Sequence, residues 1–285
     1  MKKAIFLLAA MATTLFGNAQ KANNDNSVLW KIEGNGIEKP SYLFGTIHMI
    51  CAPDFEIKEK VSKAFAATTN LVMEVNTTDP NEIQAMQKMM QSETTLSSRL
   101  NETERKEADD LLMSQIGISL EQADHVSPSG LLSVAVMTAM TCPPTEMKSY
   151  EAELTAMAQS QNKPISGLET INGQINIIDK AYSLNDILGQ IKIKNEYAVV
   201  LADMARFHKE ENLPELYKTV LDRRFMSTDA EKLMLTDRNK EWVKKIPALV
   251  KKESTFFAVG AGHLYGKTGV IELLKQQGYK VTPVK

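Results

Sequence analysis

The pattern of apolar and polar positions divides this 285-residue chain into strand-like segments at both ends and a long helical stretch between them. Near the start, the runs 28–33 and 41–46 flank a Gly-Asn-Gly sequence at 34–36, which predicts a β-hairpin. The largely apolar run 70–75 is interrupted by a single charged residue, Glu74. Such a run is typical of a strand whose two faces are both covered.

Helical periodicity begins at Pro80 and dominates the chain as far as Val250. A short strand at 163–170 is expected to interrupt it. The candidate N-caps are Asn101, Ser119 and Ser127, and helix breaks are expected near Leu184, Pro214 and Ser227. The pattern also predicts helices at 56–67, 150–162 and 268–277 and strands at 255–259 and 279–284.

These elements predict an α/β (α+β) fold in which a mixed central β-sheet is flanked by helices. A helical insertion is expected around residues 80–160. The strands at the two ends of the chain each run into a Gly-x-x-His turn, at 45–48 and at 260–263. This repetition leaves open a duplication that produced two pseudo-symmetric halves.

The beginning of the chain has the layout of a secretory signal peptide, with two lysines, an apolar run and then small residues. No later stretch has the roughly 18–20 uninterrupted apolar residues of a transmembrane helix. We therefore expect a signal peptide at 1–20, a flexible tether at 21–27 and one domain at 28–285. The expected location is periplasmic or secreted, with no transmembrane segment after signal cleavage.

The charges are balanced, because 33 basic and 35 acidic residues leave a net charge of −2. Aromatic residues make up 6% of the chain. Such a composition lacks the basic surface and the stacking residues that are typical of nucleic-acid binding. We therefore expect no nucleic-acid partner.

Two cysteines in an exported chain, Cys51 and Cys142, are candidates for a disulfide bond. Their separation in space cannot be derived from the sequence. Two unpaired thiols are the equally supported alternative.

Two of the four histidines, His48 and His263, share the Gly-x-x-His context at the end of an apolar strand. Glycine relaxes the backbone where a strand turns, so the next side chains project from the carboxyl edge of the sheet, where α/β proteins bind ligands. We expect the two imidazoles to lie in one site, although each alone is more often a structural residue. His125 and His208 lie in polar helical stretches, and we expect both at the surface.

Glu74 and Glu169 follow strand-like runs, where an ionised carboxylate is costly to bury unless it is paired, protonated or metal-bound. We expect at least one of them in the histidine pocket with a perturbed pKa; a strand-end ion pair with Arg or Lys is the alternative. Two imidazoles and one or two carboxylates are a suitable donor set for a divalent metal ion with an open water position. The His-Glu-x-x-His signature is absent from the sequence, so the metal is not identified.

Arg238 and Asn239 follow Asp237 at the start of a predicted helix. The planar guanidinium of Arg238 suits a carboxylate or a developing oxyanion, and Asn239 can donate a hydrogen bond beside it. Solvent-exposed helix residues are the simpler alternative.

Five motifs, in this order, resemble those of the TraB/GumN family, which is related to the Tiki proteases. The matching residues are Tyr42 to His48, Glu74, Lys163 to Thr170 with Gln174, Arg238 with Asn239, and Gly260 to Leu264. The resemblance covers nearly the whole chain from Val28 to Val284. It implies a metal-dependent peptidase with a mixed sheet, His48 and His263 as metal-linked residues, Glu74 as the early glutamate, and Glu169, Arg238 and Asn239 as the later polar positions.

Two functions are consistent with these residues. The first is an exported hydrolase, a metal-dependent peptidase in which His48, His263 and Glu74 hold Mn, Co or Zn, and Glu74, Glu169, Arg238 and Asn239 act on a peptide or protein substrate. The second is a non-catalytic periplasmic binding protein for a peptide, haem or a metal. The carboxylates distinguish the two, because hydrolysis needs a general base beside the histidines and binding does not. No organic cofactor and no oligomeric state are predicted.

Overall fold

The computed structural model describes residues 26–285. The expected signal peptide at 1–20 and most of the tether at 21–27 lie outside the described residues. Within the described part of the chain, no helix is long and apolar enough to cross a membrane.

Most strands and helices occur close to the places where the periodicity predicts them, but the two-residue strands at 50–51 and 147–148 were not predicted. The strands are β1 (Leu29–Glu33), β2 (Ser41–Thr46), β3 (Ile50–Cys51), β4 (Asn70–Met73), β5 (Met147–Lys148), β6 (Ile165–Gly167), β7 (Thr255–Gly260) and β8 (Lys280–Pro283). The helices are α1 (Glu59–Ala66), α2 (Pro80–Met89), α3 (Glu102–Gln115), α4 (Leu120–Ala123), α5 (Pro128–Ala139), α6 (Tyr150–Ser160), α7 (Ile171–Ala181), α8 (Leu184–Lys192), α9 (Lys194–Lys209), α10 (Leu213–Val220), α11 (Thr228–Glu231), α12 (Arg238–Lys252) and α13 (Val270–Gln276). A π-helical segment at 232–237 joins α11 to α12.

Local hydrogen bonds explain where several helices begin. The side chains of Asn101, Ser119 and Ser127 each accept a hydrogen bond from a backbone N–H in the first turn of α3, α4 and α5. These caps satisfy donors that would otherwise lack a partner. The three predicted N-caps are therefore confirmed.

Six strands form one mixed sheet in the order β6-β4-β7-β2-β1-β8, and β3 pairs with β5 in a separate two-stranded sheet. The neighbours β6, β4, β7 and β2 run parallel to one another. Strand β1 is antiparallel to both β2 and β8, which confirms the predicted β1–β2 hairpin. Because the four parallel strands point the same way, their carboxyl ends lie at one edge of the sheet.

Helices cover both faces of this sheet, as the apolar run at 70–75 predicted. One face carries Leu43, Val72 and Phe257, which pack with Trp242, Ile246 and Leu274. The other face carries Phe44, Leu71 and Phe256, which pack with Phe65, Tyr150 and Leu154. Leu112 and Leu131 of the helical insertion belong to a third core cluster, which they share with Ile187 of α8. The predicted α/β fold with a mixed, helix-flanked sheet is confirmed.

A disulfide bond joins Cys51 of β3 to Cys142, which follows α5. The β3–β5 pairing adds backbone contacts between the same two parts of the chain, with Ile50 opposite Lys148 and Cys51 opposite Met147. The end of the helical insertion is thereby attached to the segment that contains His48.

The expectation that His208 lies at the surface was wrong, whereas His125 is exposed as expected. His208 is 4% exposed, and its Nε2 lies 2.7 Å from the carbonyl oxygen of Gly45 in β2. A carbonyl only accepts hydrogen bonds, so Nε2 carries the proton. Helix α9 is polar along most of its last turn, but one side of that turn packs on the sheet beside Phe44 and Tyr150.

His208 is expected to make folding sensitive to mild acid. Burial lowers the pKa of His208 to about 4, so the unfolded chain binds the proton more tightly than the folded one. Stability is therefore lost as the pH falls from the ordinary value of 6.5 towards 4. We expect this residue to contribute about 2 kcal/mol of destabilisation between pH 7 and pH 5.

Urea denaturation of the wild type and of His208→Gln at these two pH values measures that contribution. The variant should show a smaller difference between the two pH values than the wild type does. His125→Gln, at an exposed histidine, is the matched control. An unchanged pH dependence in His208→Gln would contradict the prediction.

Candidate functional site

The four parallel strands each bring one predicted residue to the same edge of the sheet. Glu169 follows β6, Glu74 follows β4, His263 ends the short turn after β7, and His48 follows β2. These strands are consecutive neighbours in the sheet, although His48 and His263 are far apart in sequence. The expectation that the two histidines lie in one site therefore agrees with the topology.

Gly45 allows the two histidine turns to approach each other. It lies opposite Val259 in the parallel register of β2 and β7. A Cβ atom at position 45 would lie 3.0 Å from both the Cα and the Cβ of Ala261. A larger residue would therefore push the His263 turn away from β2.

Glu74 is the centre of the site. Its Oε1 accepts a hydrogen bond from the backbone N–H of Gly260 at 2.7 Å, and it lies 4.0 Å from Nε2 of His48 and 3.8 Å from Nε2 of His263. Its Oε2 accepts from Arg238 at 2.5 Å. The carboxylate is 8% exposed, so one buried oxygen faces both imidazoles.

Asn239 determines the orientation and the tautomer of His263. The Nδ2 of Asn239 donates to the carbonyl oxygens of His263 and Thr268, at 3.2 and 2.8 Å. This leaves Oδ1 to accept from Nδ1 of His263 at 2.7 Å, so the ring carries its proton on Nδ1. The lone pair on Nε2 therefore faces Arg238 Nη1 at 3.2 Å, and Nε2 lies 3.8 Å from Oε1 of Glu74.

His48 is the exposed member of the pair, with 62% of its side chain accessible. Its Nδ1 donates to Oε1 of Glu151 at 2.9 Å, and its Nε2 faces Glu74. The carboxylate of Glu151 raises the pKa of His48 to about 9. His48 is therefore a cation at neutral pH when no metal ion is bound.

Arg238 and Glu169 form a buried ion pair beside Glu74. Arg238 is 7% exposed and donates to both glutamates, and Asn239 is 2% exposed. The alternative of solvent-exposed helix residues was therefore wrong. Both glutamates are paired with an arginine, as the ion-pair alternative proposed, but the pairs lie within the histidine pocket.

Charge rather than burial determines the ionisation of Glu74. Burial alone would raise the pKa of this carboxyl group, but the charges of Arg238 and His48 and the N–H of Gly260 hold it well below its usual range. Burial and the charge of Arg238 lower the pKa of His263 to about 3. At neutral pH the site therefore contains an ionised Glu74 and a neutral His263.

Sequence reasoning missed Glu151, and it did not connect Gln174 and Trp242 to the glutamates. Gln174 donates to Glu74 at 3.0 Å and to Glu169 at 2.8 Å, and the indole of Trp242 donates to Glu169 at 3.2 Å. Glu151 is the second residue of α6, where an acidic side chain normally indicates only a favourable interaction with the helix dipole. No local signal links it to His48.

The side chains are of the types that bind divalent metal ions, but they are not arranged as a complete set of ligands around one point. In residues 26–285, no three His, Cys, Asp or Glu side chains are grouped closely enough to hold a metal ion. A Cβ atom at Gly260 would nevertheless lie 3.2 Å from Glu74 Oε1, 3.5 Å from His263 Cδ2 and 3.6 Å from His48 Nε2. Glycine at 260 therefore leaves space between two imidazoles and a carboxylate, the ligand types that divalent transition metals prefer.

Proteins named as metalloproteases are among those similar to this chain. The chain is 24% identical to "Metalloprotease TIKI2" of Xenopus tropicalis over 90% of its length, and it spans 59% of that relative. It is 23% identical to "Metalloprotease TIKI homolog" of Nematostella vectensis over 99% of its length, covering 74% of that protein. No solved structure matches it significantly. The model of the TraB/PrgY/gumN family matches residues 28–283, and the chain belongs to this family.

Proposed function

We propose that this protein is an exported, metal-dependent peptidase that acts on a peptide or protein substrate at the carboxyl edge of its sheet. The observation that carries the proposal is the position of Glu74 Oε1, which lies within 4.0 Å of Nε2 of both His48 and His263. The Nδ1 atom of each ring is occupied by a hydrogen-bond acceptor, so Nε2 is the nitrogen that each ring presents to the site. On His263 a metal ion would replace the hydrogen bond that Nε2 accepts from Arg238 Nη1 at 3.2 Å. The metalloprotease names of the relatives support the same activity.

His48, His263 and Glu74 would hold the divalent cation, with Mn, Co and Zn as candidates. When bound, such a cation supplies Lewis acidity that polarises a carbonyl group and makes water a better nucleophile. Metal ligands must be deprotonated, and the low pKa of Glu74 and the neutral ring of His263 meet that condition. Because the pKa of His48 lies near 9, its ring is protonated at neutral pH. It would have to release the proton on Nε2 to bind a metal ion.

Glu169, Arg238 and Asn239 orient the proposed ligands and keep Glu74 ionised. Glu169 accepts hydrogen bonds from Arg238, Gln174 and Trp242, and, unlike Glu74, it makes no ion pair with either imidazole. We assign it the role of orienting Arg238. Arg238 in turn keeps Glu74 ionised and has the planar donors that a developing oxyanion needs. Asn239 orients His263 through its Oδ1.

A peptide digest tests the proposed activity. The purified protein is incubated with a library of unstructured peptides, with and without added Mn²⁺, Co²⁺ or Zn²⁺, and the products are identified by mass spectrometry. We expect cleavage that requires the metal and stops on chelation. Cleavage that persists in the His48→Ala, His263→Ala double variant without metal would contradict the proposal, and stoichiometric binding of metal, haem or peptide without turnover would favour the binding-protein alternative.

Filling the space at Gly260 is expected to impair the site without unfolding the protein. The backbone at Gly260 has φ −52° and ψ 133°, which alanine adopts readily. The added methyl group would crowd Glu74 Oε1, at 3.2 Å, and would fill the space between this oxygen and the two imidazoles. We expect Gly260→Ala to lower activity by up to about 100-fold, the cost of a small misplacement of reacting groups.

Gly189→Ala is the control, because a Cβ atom at that position meets nothing within 4 Å. It should keep full activity and metal affinity. Thermal unfolding of both variants separates a local effect from general destabilisation. Full activity in Gly260→Ala would show that the space between the three side chains has no function.

A further inference from the structure

Glu151 is a partly buried carboxylate without a role in the proposed reaction. Its side chain is 18% exposed, and it lies at the start of α6 rather than at a strand end. Oε1 accepts hydrogen bonds from Thr46 Oγ1 at 2.6 Å and from His48 Nδ1 at 2.9 Å, and Oε2 accepts from Ser149 Oγ at 2.9 Å. Two hydroxyl groups therefore hold the carboxylate while it contacts the imidazole.

Three separate features bring Glu151 to His48 across about one hundred residues. The disulfide bond joins Cys51 to Cys142. The two-residue pairing of β3 with β5 aligns Cys51 with Met147. The hydrogen bond from Thr46 attaches the end of β2 directly to α6. These features connect the segment 46–51 to the segment 142–151, and the contact between Glu151 and His48 lies within that junction.

The contact determines which nitrogen of His48 is free. An ionised carboxylate only accepts hydrogen bonds, so Nδ1 of His48 must carry a proton. The Nε2 atom, which faces Glu74, is then the nitrogen with the available lone pair once the ring is neutral. Asn239 fixes the same tautomer in His263 through an amide oxygen. The two imidazoles therefore present the same atom to the site, although one is supported by a charged acceptor and the other by a neutral one.

We propose that Glu151 is the positioning residue of His48, which holds its ring in the Nδ1–H tautomer and presents Nε2 to the metal position beside Glu74. This inference rests on the proposed function for its consequence, but the hydrogen bond to Glu151 is present without metal or substrate, and the tautomer can be observed whenever the ring is neutral. Hydrogen-bond partners of metal-binding histidines fix ring orientation and increase ligand basicity. The Thr46 and Ser149 hydroxyl groups keep the carboxylate itself in place.

The tautomer of His48 is measured by ¹⁵N NMR of the imidazole nitrogens in the metal-free protein, at a pH above the value near 9 at which this ring loses its charge. The wild type should show Nδ1 protonated and Nε2 unprotonated. Glu151→Ala should move the ring towards the Nε2–H tautomer, and Glu151→Gln should largely retain Nδ1–H, because its amide oxygen still accepts. An Nε2–H tautomer in the wild type would overturn the proposal without any variant, and so would an unchanged tautomer in a folded Glu151→Ala.

Calorimetric titration with Zn²⁺ or Mn²⁺ tests the consequence for the metal position. Glu151→Ala should weaken affinity by about 10- to 100-fold, the usual effect of losing the hydrogen-bond partner of a ligand. Glu153→Ala, at an exposed glutamate of the same helix, is the matched control and should bind as the wild type does. If neither the wild type nor any variant binds metal but the tautomer shifts as expected, the proposed function fails and the positioning role of Glu151 stands. Wild-type affinity in Glu151→Ala despite a shifted tautomer would overturn the role of Glu151 at the metal position.

Discussion

Replacing His48 by alanine is expected to remove metal binding and peptide cleavage together, while the protein stays folded. The ring supplies one of three proposed ligands, so the loss should exceed the roughly 10- to 100-fold cost of removing a ligand's hydrogen-bond partner. Because 62% of the side chain is exposed, the protein should stay folded, and any loss in the free energy of unfolding should come from the ion pair with Glu151. Calorimetric titration with metal, a peptide-cleavage assay and urea denaturation measure the three quantities.

His125→Ala is the matched control, because His125 is also exposed but lies in the loop before α5 and contacts the backbone of Ser92. It should keep wild-type metal affinity and activity. His263→Ala is a less clean variant of the same test, since the ring is buried and its removal leaves Arg238 and Asn239 without a partner. Undiminished metal affinity in His48→Ala would exclude this histidine as a ligand.

Replacing Glu74 by glutamine is expected to reduce kcat by about 10²- to 10⁴-fold, the range that loss of a general base produces. Glutamine keeps the shape and one oxygen for the Gly260 N–H but removes the negative charge between the two imidazoles. The low pKa of Glu74 makes it a weak base and a suitable ligand. We therefore expect metal affinity to fall together with kcat.

Measuring kcat and metal affinity on the same Glu74→Gln preparation separates the two roles. A loss of kcat with wild-type metal affinity would assign Glu74 as a base and not as a ligand. Glu59→Gln, at an exposed glutamate paired only with Lys63, controls for the substitution itself. Wild-type activity in Glu74→Gln would remove this residue from the mechanism.

The expected positions of the site residues agree with the structure where they depended on strand ends. His48, His263, Glu74 and Glu169 all follow strands that local apolar runs identify. The carboxyl ends of parallel strands lie at one edge of the sheet, so residues that follow these strands are brought close together. For Arg238 the sequence left two alternatives, a partner for a carboxylate or oxyanion and a solvent-exposed helix residue, and the structure agrees with the first.

Sequence reasoning was wrong about His208 and did not find Glu151. Both residues lie on helices whose sequence around them is polar, so periodicity did not show which side faces the sheet. His208 is buried because α9 packs on β2, and Glu151 reaches His48 because β3, β5 and the disulfide bond join distant segments. Neither packing arrangement has a local signature.

The sequence by itself determined most of the elements, three helix caps, the fold class and the candidate side chains, because periodicity, glycine turns and residue chemistry act over a few neighbouring positions. Only the tertiary structure decided the sheet order β6-β4-β7-β2, the disulfide bond, and the pairing of His48 with Glu151 and of Arg238 with both glutamates. These features depend on contacts between residues far apart in the chain. Their distances are determined by how the helices pack on the two faces of the sheet, which no local pattern specifies.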